Sequence, residues 1–367
     1  MKFSCEKDII IQEISIAQEI ISSRNVLSIL SNVLLIAEND SLTIKATDLK
    51  VSFETVIPVH VERPGSITVF CDKLLGILRN LPTGSIDFEV SEGQIQITPQ
   101  AKKAAFRLKS IPPEQYPELQ MVSNEQYFTI SQSDLNEMIS QTIFSVSDDE
   151  TRYFMNGVYF EKEDGYIIMV ATDGRRLSYV KKALQIEIPD FEGVIIPPKI
   201  LHLIKKLTSG EGTIDIAVTE KNIWVKFDNR KLYSNLIEGQ FPNYQRVIPE
   251  TQKFEIKTEK RDLLEALRRV SLLVEQKSRR IYIGVEGSVL SLQSEESEIG
   301  TAQEEIACEY QGDDIKIALN YLYLIDPLKE ITEDSVKLLF TEPNKAITLK
   351  PEKNEDYFHI VMPMQLD

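Results

Sequence analysis

The stretch GSITVFCDKLLGILRNLPTGSIDFEV (residues 65–90) decides the fold class, because the chain repeats its plan as GVIIPPKILHLIKKLTSGEGTIDIAV at residues 193–218. In both, a β-branched run precedes an amphipathic helix pattern, a turn and a second alternating run. The triplet ATD recurs in the same order, at residues 46–48 and 171–173. Self-similarity of this kind predicts a chain built from copies of one unit.

The repeat extends to the rest of the chain. QYP at residues 115–117 returns as QFP at 240–242, and FEIKTEKRDLLEALRRVSLLVEQ (254–276) resembles FTISQSDLNEMISQTIFSVS (128–147). Three copies of about 120 residues follow, each large enough to be a domain and too large for a solenoid unit. The predicted domains are residues 1–122, 123–250 and 251–367.

Within each copy the hydrophobic pattern predicts two helices and about eight short strands. SDLNEMISQTIF starts with polar residues and has apolar residues three or four apart, as in an amphipathic helix, whereas KNIWVKF and SIDFEV alternate as strands do. The segments AKKAAFRLK (101–109) and RDLLEALRRVSLLVEQ (261–276) are interpreted as a strand and a helix. The fold class is therefore α+β, with helices layered on antiparallel sheets.

Composition places the chain among ordinary folded proteins, with 42% hydrophobic and 27% charged residues. No run approaches the roughly 18 apolar residues of a membrane span, and Glu13 interrupts the apolar stretch near the N-terminus. Cys5, Cys71 and Cys308 are too scattered for a CxxC pair. We expect a cytoplasmic protein with no membrane partner.

No catalytic constellation emerges from the sequence. His60, His202 and His359 lack the spacing of metal ligands, and each is interpreted as a surface or satisfied core histidine. The acidic groups SDDE (147–150) and SEESE (294–298) lack the spacing of a calcium loop, so a solvated turn is favoured over a cation site. We expect no enzymatic activity, no cofactor and no metal.

A net charge of −16 disfavours nucleic-acid binding by the surface as a whole. One predicted helix, Pro197–Leu207, nevertheless separates apolar from basic side chains. Its apolar stripe is Ile200, Leu201, Ile204 and Leu207, and its opposite face carries Lys199, His202 and Lys206, with Lys205 at the edge. The basic face fits a surface near phosphates, and a merely solvated helix face is the alternative.

Several of these strings carry a family resemblance. ATDGRRLS (171–178), IEGQFPNYQRVIP (237–249), VMPMQL (361–366) and RYFMNGVYFE (152–161) together resemble the bacterial DNA polymerase III beta subunit, the sliding clamp. The resemblance implies a chain of three clamp domains that pairs head to tail as a homodimer, forming a ring of six domains. Such a ring encircles duplex DNA without sequence preference and confers processivity on the replicative polymerase.

The resemblance also implies which residues approach DNA. Lys73 and Arg79 lie on the first-copy helix that corresponds to Pro197–Leu207, and Arg24, Tyr153 and Phe154 match positions where the family touches DNA. A sparse basic lining suits a sliding protein because tight phosphate contacts would stop it. The predicted DNA-binding residues are Arg24, Lys73, Arg79, Tyr153, Phe154, Lys199, Lys205 and Lys206.

Ring closure predicts complementary charge on the first and third domains. Residues 101–109 hold four cations and no anion, whereas residues 294–309 hold six carboxylates and no cation. Unrelated surface charge is the alternative, but complementary charge would fix orientation and register. The predicted interface residues are Leu74, Lys102, Lys103, Arg107, Leu108, Leu272, Leu273, Glu295, Glu296, Glu298 and Glu304.

In the family, the replicative polymerase, the clamp loader, and repair and other polymerases dock short peptides between the second and third domains. Matched by position, the second-domain residues are Met155, Thr172, Gly174, Arg175, Arg176, Leu177, Pro242, Arg246 and Val247. The third-domain residues are Asn320, Tyr323, Ile360, Val361, Met362, Pro363, Met364, Gln365 and Leu366. Methionines suit a shared surface because they repack around different partners.

Details within this predicted pocket remain open. We expect Arg176 and Arg246 to anchor partner groups at the rim, while Leu177 and Val247 are equally well interpreted as core. Arg175 stands where many relatives have His, and Gln365 where many have Arg. Both changes alter charge, so the preferred peptide is expected to differ.

Two other classes of function compete with this interpretation. A soluble enzyme with a repeated α+β fold lacks the expected catalytic residues, and intrinsic turnover by the purified protein would revive it. A protein-only scaffold of the same fold would not be retained on DNA.

Overall fold

The computed structural model describes residues 1–21, 29–120, 126–184, 186–298 and 300–365. Two residues with predicted roles, Arg24 and Leu366, lie outside the described residues. None of the helices in these ranges is long and apolar enough to cross a membrane.

Six α-helices occur over the described residues, two in each third of the chain, as the repeat predicts. They are α1 (Lys7–Ile20), α2 (Cys71–Asn80), α3 (Gln132–Thr142), α4 (Pro198–Leu207), α5 (Lys260–Val270) and α6 (Leu322–Glu330). Each follows a strand almost directly, so the chain turns from sheet to helix without a long loop. At α3 the turn is fixed by Ser131, whose Oγ accepts a hydrogen bond from the Asp134 amide at 3.0 Å.

The strands are short and numerous, as expected. The first third contains β1 (Lys2–Glu6), β2 (Asn32–Glu38), β3 (Ser41–Thr47), β4 (Val51–Pro58), β5 (His60–Arg63), β6 (Gly65–Phe70), β7 (Ser85–Ser91), β8 (Gln94–Pro99) and β9 (Phe106–Lys109). The second contains β10 (Phe128–Ser131), β11 (Val158–Glu163), β12 (Tyr166–Thr172), β13 (Arg176–Ala183), β14 (Val194–Ile196), β15 (Thr213–Val218), β16 (Asn222–Phe227) and β17 (Arg230–Asn235). The last contains β18 (Phe254–Glu259), β19 (Arg280–Glu286), β20 (Val289–Ser294), β21 (Gln303–Ala307), β22 (Glu309–Tyr310), β23 (Ile315–Asn320), β24 (Ser335–Phe340), β25 (Ile347–Pro351) and β26 (Tyr357–Val361).

One compact unit comprises Met1–Ile130 and Gly212–Leu236. It holds a five-stranded sheet of order β5-β1-β7-β8-β9 and an eight-stranded sheet of order β10-β15-β16-β17-β4-β3-β2-β6. The larger sheet joins strands of the first and second copies, because β17 pairs antiparallel with β4. The Arg230 Nη2 donates to Glu13 Oε1 at 2.6 Å and reinforces that joint, and Glu13 is almost fully buried.

The other compact unit comprises Ser131–Glu211 and Ile237–Asp367. Its nine-stranded sheet has the order β14-β11-β12-β13-β26-β25-β24-β18-β22, and its four-stranded sheet has the order β21-β20-β19-β23. Here the second and third copies share a sheet, since β13 pairs antiparallel with β26. Helix α3 packs on β12 and β13, and α5 packs on α6 and β21.

Two predicted elements differ from the structure. The strand expected over residues 101–109 is confined to Phe106–Lys109, because residues 101–103 form a turn in which the Lys102 amide bonds to the Pro99 carbonyl. The helix expected to reach residue 276 ends at Val270 and continues as one 3₁₀ turn, Ser271–Leu273. The apolar spacing of the helix persists through that turn, which is why the sequence does not reveal the change.

Candidate functional site

An apolar cavity of about 250 Å³ opens where β12 meets β13, beside the last strand of the chain. Ten of its twelve lining residues are among those predicted for the partner pocket. The lining residues are Met155, Thr172, Gly174, Arg175, Arg176, Leu177, Pro242, Asn243, Tyr244, Val247, Ile360 and Met362. Residues from four separate segments therefore converge on one concave, largely apolar surface, the form typical of a ligand pocket.

The tight turn between β12 and β13 shapes one wall of the cavity. The Asp173 Oδ1 accepts hydrogen bonds from the amides of Arg175 and Arg176 at 2.9 and 3.0 Å. Gly174 takes a φ of +87°, a left-handed conformation that glycine adopts without steric cost. Thr172 and Leu177 are consequently opposite each other in the strand pair and both line the cavity, as predicted.

Arg176 is held within the protein and is not a free anchor at the rim. Its Nε donates to Asp173 Oδ2 at 3.1 Å, its Nη1 to Asp326 Oδ2 at 2.8 Å, and its Nη2 to the Phe144 carbonyl. The guanidinium carbon lies 4.8 Å from the centre of the Tyr323 ring. The expectation that Arg176 receives a partner group is therefore corrected, since its donors already bind the wall of the cavity.

The C-terminal segment leaves the sheet at the cavity edge. Strand β26 ends at Val361, and the Met362 amide then donates to the Arg175 carbonyl at 2.9 Å. After Pro363, the Met364 amide donates to the Ala318 carbonyl of β23 at 2.8 Å. The segment therefore crosses from the nine-stranded sheet to the four-stranded sheet, with Met362 44% exposed between them.

The remaining predicted pocket residues divide into two groups. A second cavity, of about 680 Å³, shares Arg175 and Met362 with the first, and five predicted residues line it: Asn320, Tyr323, Pro363, Met364 and Gln365. Arg246 is exposed and Val361 is fully buried, and neither lines either cavity. For Val361 the structure corrects the prediction of direct contact, because its side chain belongs to the core.

Tyr244 and Asn243 line the apolar cavity but were not predicted from the sequence. The Tyr244 hydroxyl donates to Glu161, and its ring packs 6.2 Å from that of Tyr159. Burial, together with the Glu161 hydrogen bond, raises the pKa of Tyr244 well above its usual range. The sequence did contain a signal for Tyr244, because this residue lies between the predicted residues Pro242 and Arg246. In the structure it begins a 3₁₀ turn and its side chain is buried.

Leu177 and Val247, for which a core position and direct contact with a partner were both considered, differ in their exposure. Leu177 is only 3% exposed and belongs to the core beneath the cavity, which it also lines. Val247 is 49% exposed and lines the cavity from its rim. The core interpretation thus describes Leu177, and direct contact with a bound ligand is open mainly to Val247 and its exposed neighbours.

Those predicted DNA-binding residues that the structure describes lie on exposed or partly exposed surfaces. Lys73 and Arg79 are exposed on α2, and on α4 Lys205 and Lys206 are exposed while Lys199 is partly buried. Of the stripe predicted for α4, Ile200, Leu201 and Ile204 are buried and Leu207 is half-buried, and Leu203 is buried in addition. Tyr153 is 54% exposed, whereas Phe154 packs against the core cluster around Phe241.

The predicted interface residues are less uniform. Lys102, Lys103 and Arg107 are exposed, Leu108 is half-buried, and Leu272 is 80% exposed beside the half-buried Leu273. Leu74 is fully buried in the core, so its prediction as an interface contact is wrong. The helix pattern gave no warning, since Leu74 belongs to the same apolar stripe as the buried Leu78.

The acidic residues expected at the same interface are partly neutralised within the chain. Arg269 Nη2 contacts Glu304 Oε1 at 2.5 Å, and this partner holds the pKa of Glu304 below its usual range. Arg280 Nη1 lies 3.7 Å from Glu295 Oε1. Glu296 and Glu298 are exposed. The negative charge offered at this surface is therefore smaller than the sequence count implies.

A buried polar cluster joins Ser145 to Ser178 of β13 and His359 of β26. The His359 Nδ1 lies 2.8 Å from the Ser178 Oγ, which lies 2.6 Å from the Ser145 Oγ. His359 is therefore a core histidine, but only half satisfied, because its buried Nε2 has no hydrogen-bond partner among the described residues. Burial, with the nearby Arg176 charge as a second cause, lowers the pKa of His359 to about 3.

This histidine makes acid stability testable. Its pKa is lowered in the folded state, so its contribution is fully present above the unfolded pKa of about 6.5 and is lost as the pH falls toward about 3. Relative to His359→Gln, the wild-type free energy of unfolding should fall by about 1.4 kcal/mol per pH unit across that window. Urea denaturation at a series of pH values measures the difference, and parallel curves for the two proteins would contradict it.

Comparison with known proteins agrees with this geometry. Three families match in order along the chain: the N-terminal domain of the DNA polymerase III beta subunit at residues 1–120, its central domain at 129–243 and its C-terminal domain at 245–365. The beta sliding clamp of Treponema pallidum (strain Nichols) is 47% identical over 371 residues, and that of Pseudomonas aeruginosa is 31% identical over 369. Both alignments cover 100% of each chain.

Comparison with solved structures also finds sliding clamps. The DNA polymerase sliding clamp of Bacillus subtilis superposes with a TM-score of 0.96 at 26% identity. A sliding clamp from Pseudomonas aeruginosa bound to griselimycin superposes with a TM-score of 0.94 at 30% identity, and each match covers 100% of both chains. The α+β fold is therefore that of the DNA clamps, the class of processivity factors.

Within that class, the chain belongs to the DNA polymerase III beta subunit family, the bacterial sliding clamps. Its function is to encircle DNA and confer processivity on the replicative DNA polymerase.

Proposed function

We propose that this clamp works as a closed homodimeric ring, without catalytic activity of its own. The three domains, residues 1–122, 123–250 and 251–367, would supply six domains to the ring. The ring would surround duplex DNA in the cytoplasm. The replicative polymerase, the clamp loader and repair polymerases would reach it through short peptides bound in the apolar cavity.

The main observation in favour of the closed ring is a pair of strands that each stand at the edge of a sheet, whereas their counterparts in the other copies pair within the chain. By order within the copies, β4, β13 and β21 correspond to one another, and so do β9, β17 and β26. Within the chain, β4 pairs with β17 and β13 with β26. The two strands left over, β9 and β21, each stand at the end of a sheet. Pairing β9 of one subunit with β21 of another repeats the same joint and covers both of these edges.

Charge and apolar surface support that joint. Strand β9 and the turn before it carry Lys102, Lys103 and Arg107, and the segment leading to β21 carries Glu296 and Glu298. Opposite charges on the two edges favour head-to-tail pairing and oppose pairing of like edges. Phe106 on β9 is 38% exposed, and Leu272 is 80% exposed after α5. Exposed large apolar side chains at an open edge are typical of an interface.

The apolar cavity supports the peptide-binding part of the proposal. Its exposed rim residues, Val247 and Met362, surround the buried Leu177 and Ile360. The occupant proposed is an extended segment of a partner protein whose apolar side chains enter the cavity. Methionine at the rim can repack around different side chains, which suits a site that several partners share.

The basic helix faces support the DNA-facing part. The exposed Lys205 and Lys206 on α4, and Lys73 and Arg79 on α2, would line the hole with a few cations. The chain as a whole has a net charge of −16, which discourages DNA from binding to the outside of the ring. Such loose electrostatic contact allows sliding because no base is read.

Retention on DNA tests the closed ring directly. The clamp is loaded onto nicked circular plasmid by a clamp loader, and the complex is then passed through a gel-filtration column at high salt. We expect retention on the circle and rapid loss after a restriction enzyme linearises it, because a topological tether slides off free ends. Equal retention on both forms would favour ordinary binding, and no retention on either would favour a protein-only scaffold.

A further inference from the structure

The turn between β3 and β4 repeats the turn that shapes the apolar cavity. Asp48 Oδ1 accepts hydrogen bonds from the amides of Lys50 and Val51 at 2.9 and 2.7 Å. Equivalent bonds between β12 and β13 surround Gly174, and the residue of the first copy that stands in its place is Leu49. The same backbone turn therefore presents a glycine in the second copy and a leucine in the first.

Leu49 adopts a backbone conformation that is unfavourable for a residue with a side chain. Its φ is +74°, in the left-handed region where Gly174 has +87°. A Cβ atom comes too close to the following carbonyl oxygen in this region, and a leucine side chain makes no local hydrogen bond in compensation. The hydrogen bonds of the turn fix the backbone, so the strain persists in the folded chain. Stability alone therefore does not account for a leucine at this position.

The Leu49 side chain is also exposed. At 59% it is more exposed than any other large apolar side chain in the described ranges except Leu272, which already has a proposed role in the dimer. A single exposed leucine needs no explanation by itself. A leucine that is both strained and exposed does, because neither its conformation nor its surface stabilises the isolated chain.

Two lysines lie beside Leu49 at the end of the joint between β4 and β17. The Lys50 carbonyl accepts from the Asn235 amide at 2.9 Å. The Lys221 carbonyl accepts from the amide of the next residue, Leu236, at 2.8 Å. Both lysines are exposed, and neither has an ion-pair partner over the ranges that the structure describes. With Leu49 they form a small surface outside both cavities, called the Leu49 patch below.

The chemistry of the Leu49 patch indicates the kind of surface that would cover it. The exposed charge of the turn is positive, because the Asp48 carboxylate is half-buried and bound to backbone amides. A complementary protein surface has an apolar depression for Leu49 and carboxylates for Lys50 and Lys221. Single-stranded nucleic acid fits less well, since its bases stack on aromatic rings and a leucine offers none.

The Leu49 patch is too small to hold a protein by itself. It has one apolar side chain and two cations, whereas a stable interface buries about 800 Å² on each partner. A contact of this size suits a partner that is already tethered to the clamp, because tethering raises the local concentration of the partner to about the millimolar range. The replicative polymerase meets this condition, since the clamp keeps it on DNA through successive nucleotide additions.

We infer that the Leu49 patch is a second contact for the folded body of the replicative polymerase. This inference rests on the proposed docking of the polymerase through the apolar cavity, and it adds a separate surface with its own chemistry. Leu49 enters an apolar depression of the polymerase, and Lys50 and Lys221 pair with carboxylates at its border. The second contact restricts the orientation of an enzyme that one bound peptide would leave free to pivot.

Leu49→Asn tests the apolar part of the contact. Asparagine tolerates the left-handed conformation and removes the apolar surface, so the variant should unfold at the same urea concentration as the wild type or at a higher one. Surface plasmon resonance with the purified replicative polymerase should nevertheless show about fivefold weaker binding. Val56→Asn is the matched control, since Val56 is 40% exposed on β4, and it should bind as the wild type does. Unchanged polymerase affinity in Leu49→Asn would overturn the inference.

A cysteine at the same position reports the contact directly. Cys5, Cys71 and Cys308 are buried, so a maleimide dye should label Leu49→Cys at position 49. Saturating polymerase should slow this labelling severalfold, while the labelling of Val56→Cys keeps its rate. If the polymerase left the labelling of position 49 unchanged, Leu49 would lie outside the contact.

Charge reversal tests the two lysines. Lys50→Glu/Lys221→Glu should bind the polymerase about tenfold more weakly than the wild type, with a smaller difference at high salt. Lys253→Glu/Lys345→Glu changes the net charge equally at two exposed lysines outside the Leu49 patch and both cavities, and it should bind normally. Equal weakening in the two double variants would reduce the effect to net charge and would contradict the proposed pairing.

Val247→Asp separates this inference from the function on which it rests. If Val247→Asp weakens polymerase binding and the variants of the Leu49 patch do not, docking through the apolar cavity stands and the inference fails. If Val247→Asp binds the polymerase normally, the proposed docking fails and the inference fails with it. Loss of clamp-loader affinity alone in Leu49→Asn, or protection of position 49 by a duplex oligonucleotide instead of the polymerase, would also overturn the inference.

Discussion

Leu272→Lys/Leu273→Lys is expected to convert the proposed dimer to a monomer. Leu272 is 80% exposed in the isolated chain, and Leu273 is half-buried in the same 3₁₀ turn. Losing two leucines at a joint removes about 3 kcal/mol or more of burial energy, a rise in dissociation constant of more than about a hundredfold. The new cations would also face the basic edge around β9. Mass by light scattering at low micromolar protein measures the change.

Two comparison variants make this result specific. Leu272→Asp/Leu273→Asp removes the same apolar surface but adds charges that the basic edge attracts, so it should dissociate less than the lysine variant. Ile9→Lys/Ile186→Lys replaces two other exposed apolar residues and should remain dimeric. Urea denaturation checks that each variant is folded. A lysine variant that keeps the wild-type mass would rule out the β9–β21 joint.

The fold could be predicted from the sequence because its information is local and repeated. Helix α4 illustrates this, since its apolar stripe and basic face follow from spacing alone. The structure differs only in burying Leu203 and in leaving Leu207 half-buried. The two helices predicted for each copy, which the structure confirms, also follow from the local spacing of apolar residues. What spacing cannot show is how copies combine, and the joints of β4 with β17 and β13 with β26 depend on partners far apart in sequence.

Side-chain roles were predicted less well than positions. Arg176 was matched correctly to the cavity, but its partners Asp326 and the Phe144 carbonyl come from distant segments, so its internal role could not be predicted. The prediction for Leu74 was wrong for a different reason. An apolar residue on a helix gives no sign of whether its side chain packs in the core or contacts a partner. Both errors concern the direction in which a side chain points, and that direction depends on tertiary packing.

The second cavity, which Arg175, Lys277 and Arg279 line, shows a third limit. Arg175 was recognised as a change of charge, yet Lys277 and Arg279 stand about a hundred residues away in a turn that carries no motif. Only the folded chain brings them beside Met362. Sites made from charges on separate loops are therefore invisible to pattern analysis, whereas the apolar cavity was accessible through contiguous strings such as ATDGRRLS.

Val247→Asp is expected to abolish most polymerase binding while leaving the proposed dimer intact. Val247 is 49% exposed and lines the apolar cavity, so the substitution places a carboxylate where a partner's apolar side chain would lie. Lost apolar contact and the desolvation of an unpaired charge together cost about 3 kcal/mol, or roughly a hundredfold in affinity. Surface plasmon resonance with the purified replicative polymerase measures the loss.

Val56→Asp is the matched control, because Val56 is a similarly exposed valine, 40% exposed on β4, outside the cavity. A truncated chain lacking residues 362–366 should lose polymerase binding as Val247→Asp does, since it removes Met362 from the rim of both cavities. Truncation also removes the Met364 bond to Ala318, so the point variant distinguishes a blocked cavity from a loosened sheet. If Val247→Asp bound the polymerase with wild-type affinity, the polymerase would bind elsewhere on the clamp. This conclusion would hold for any result with the truncated chain.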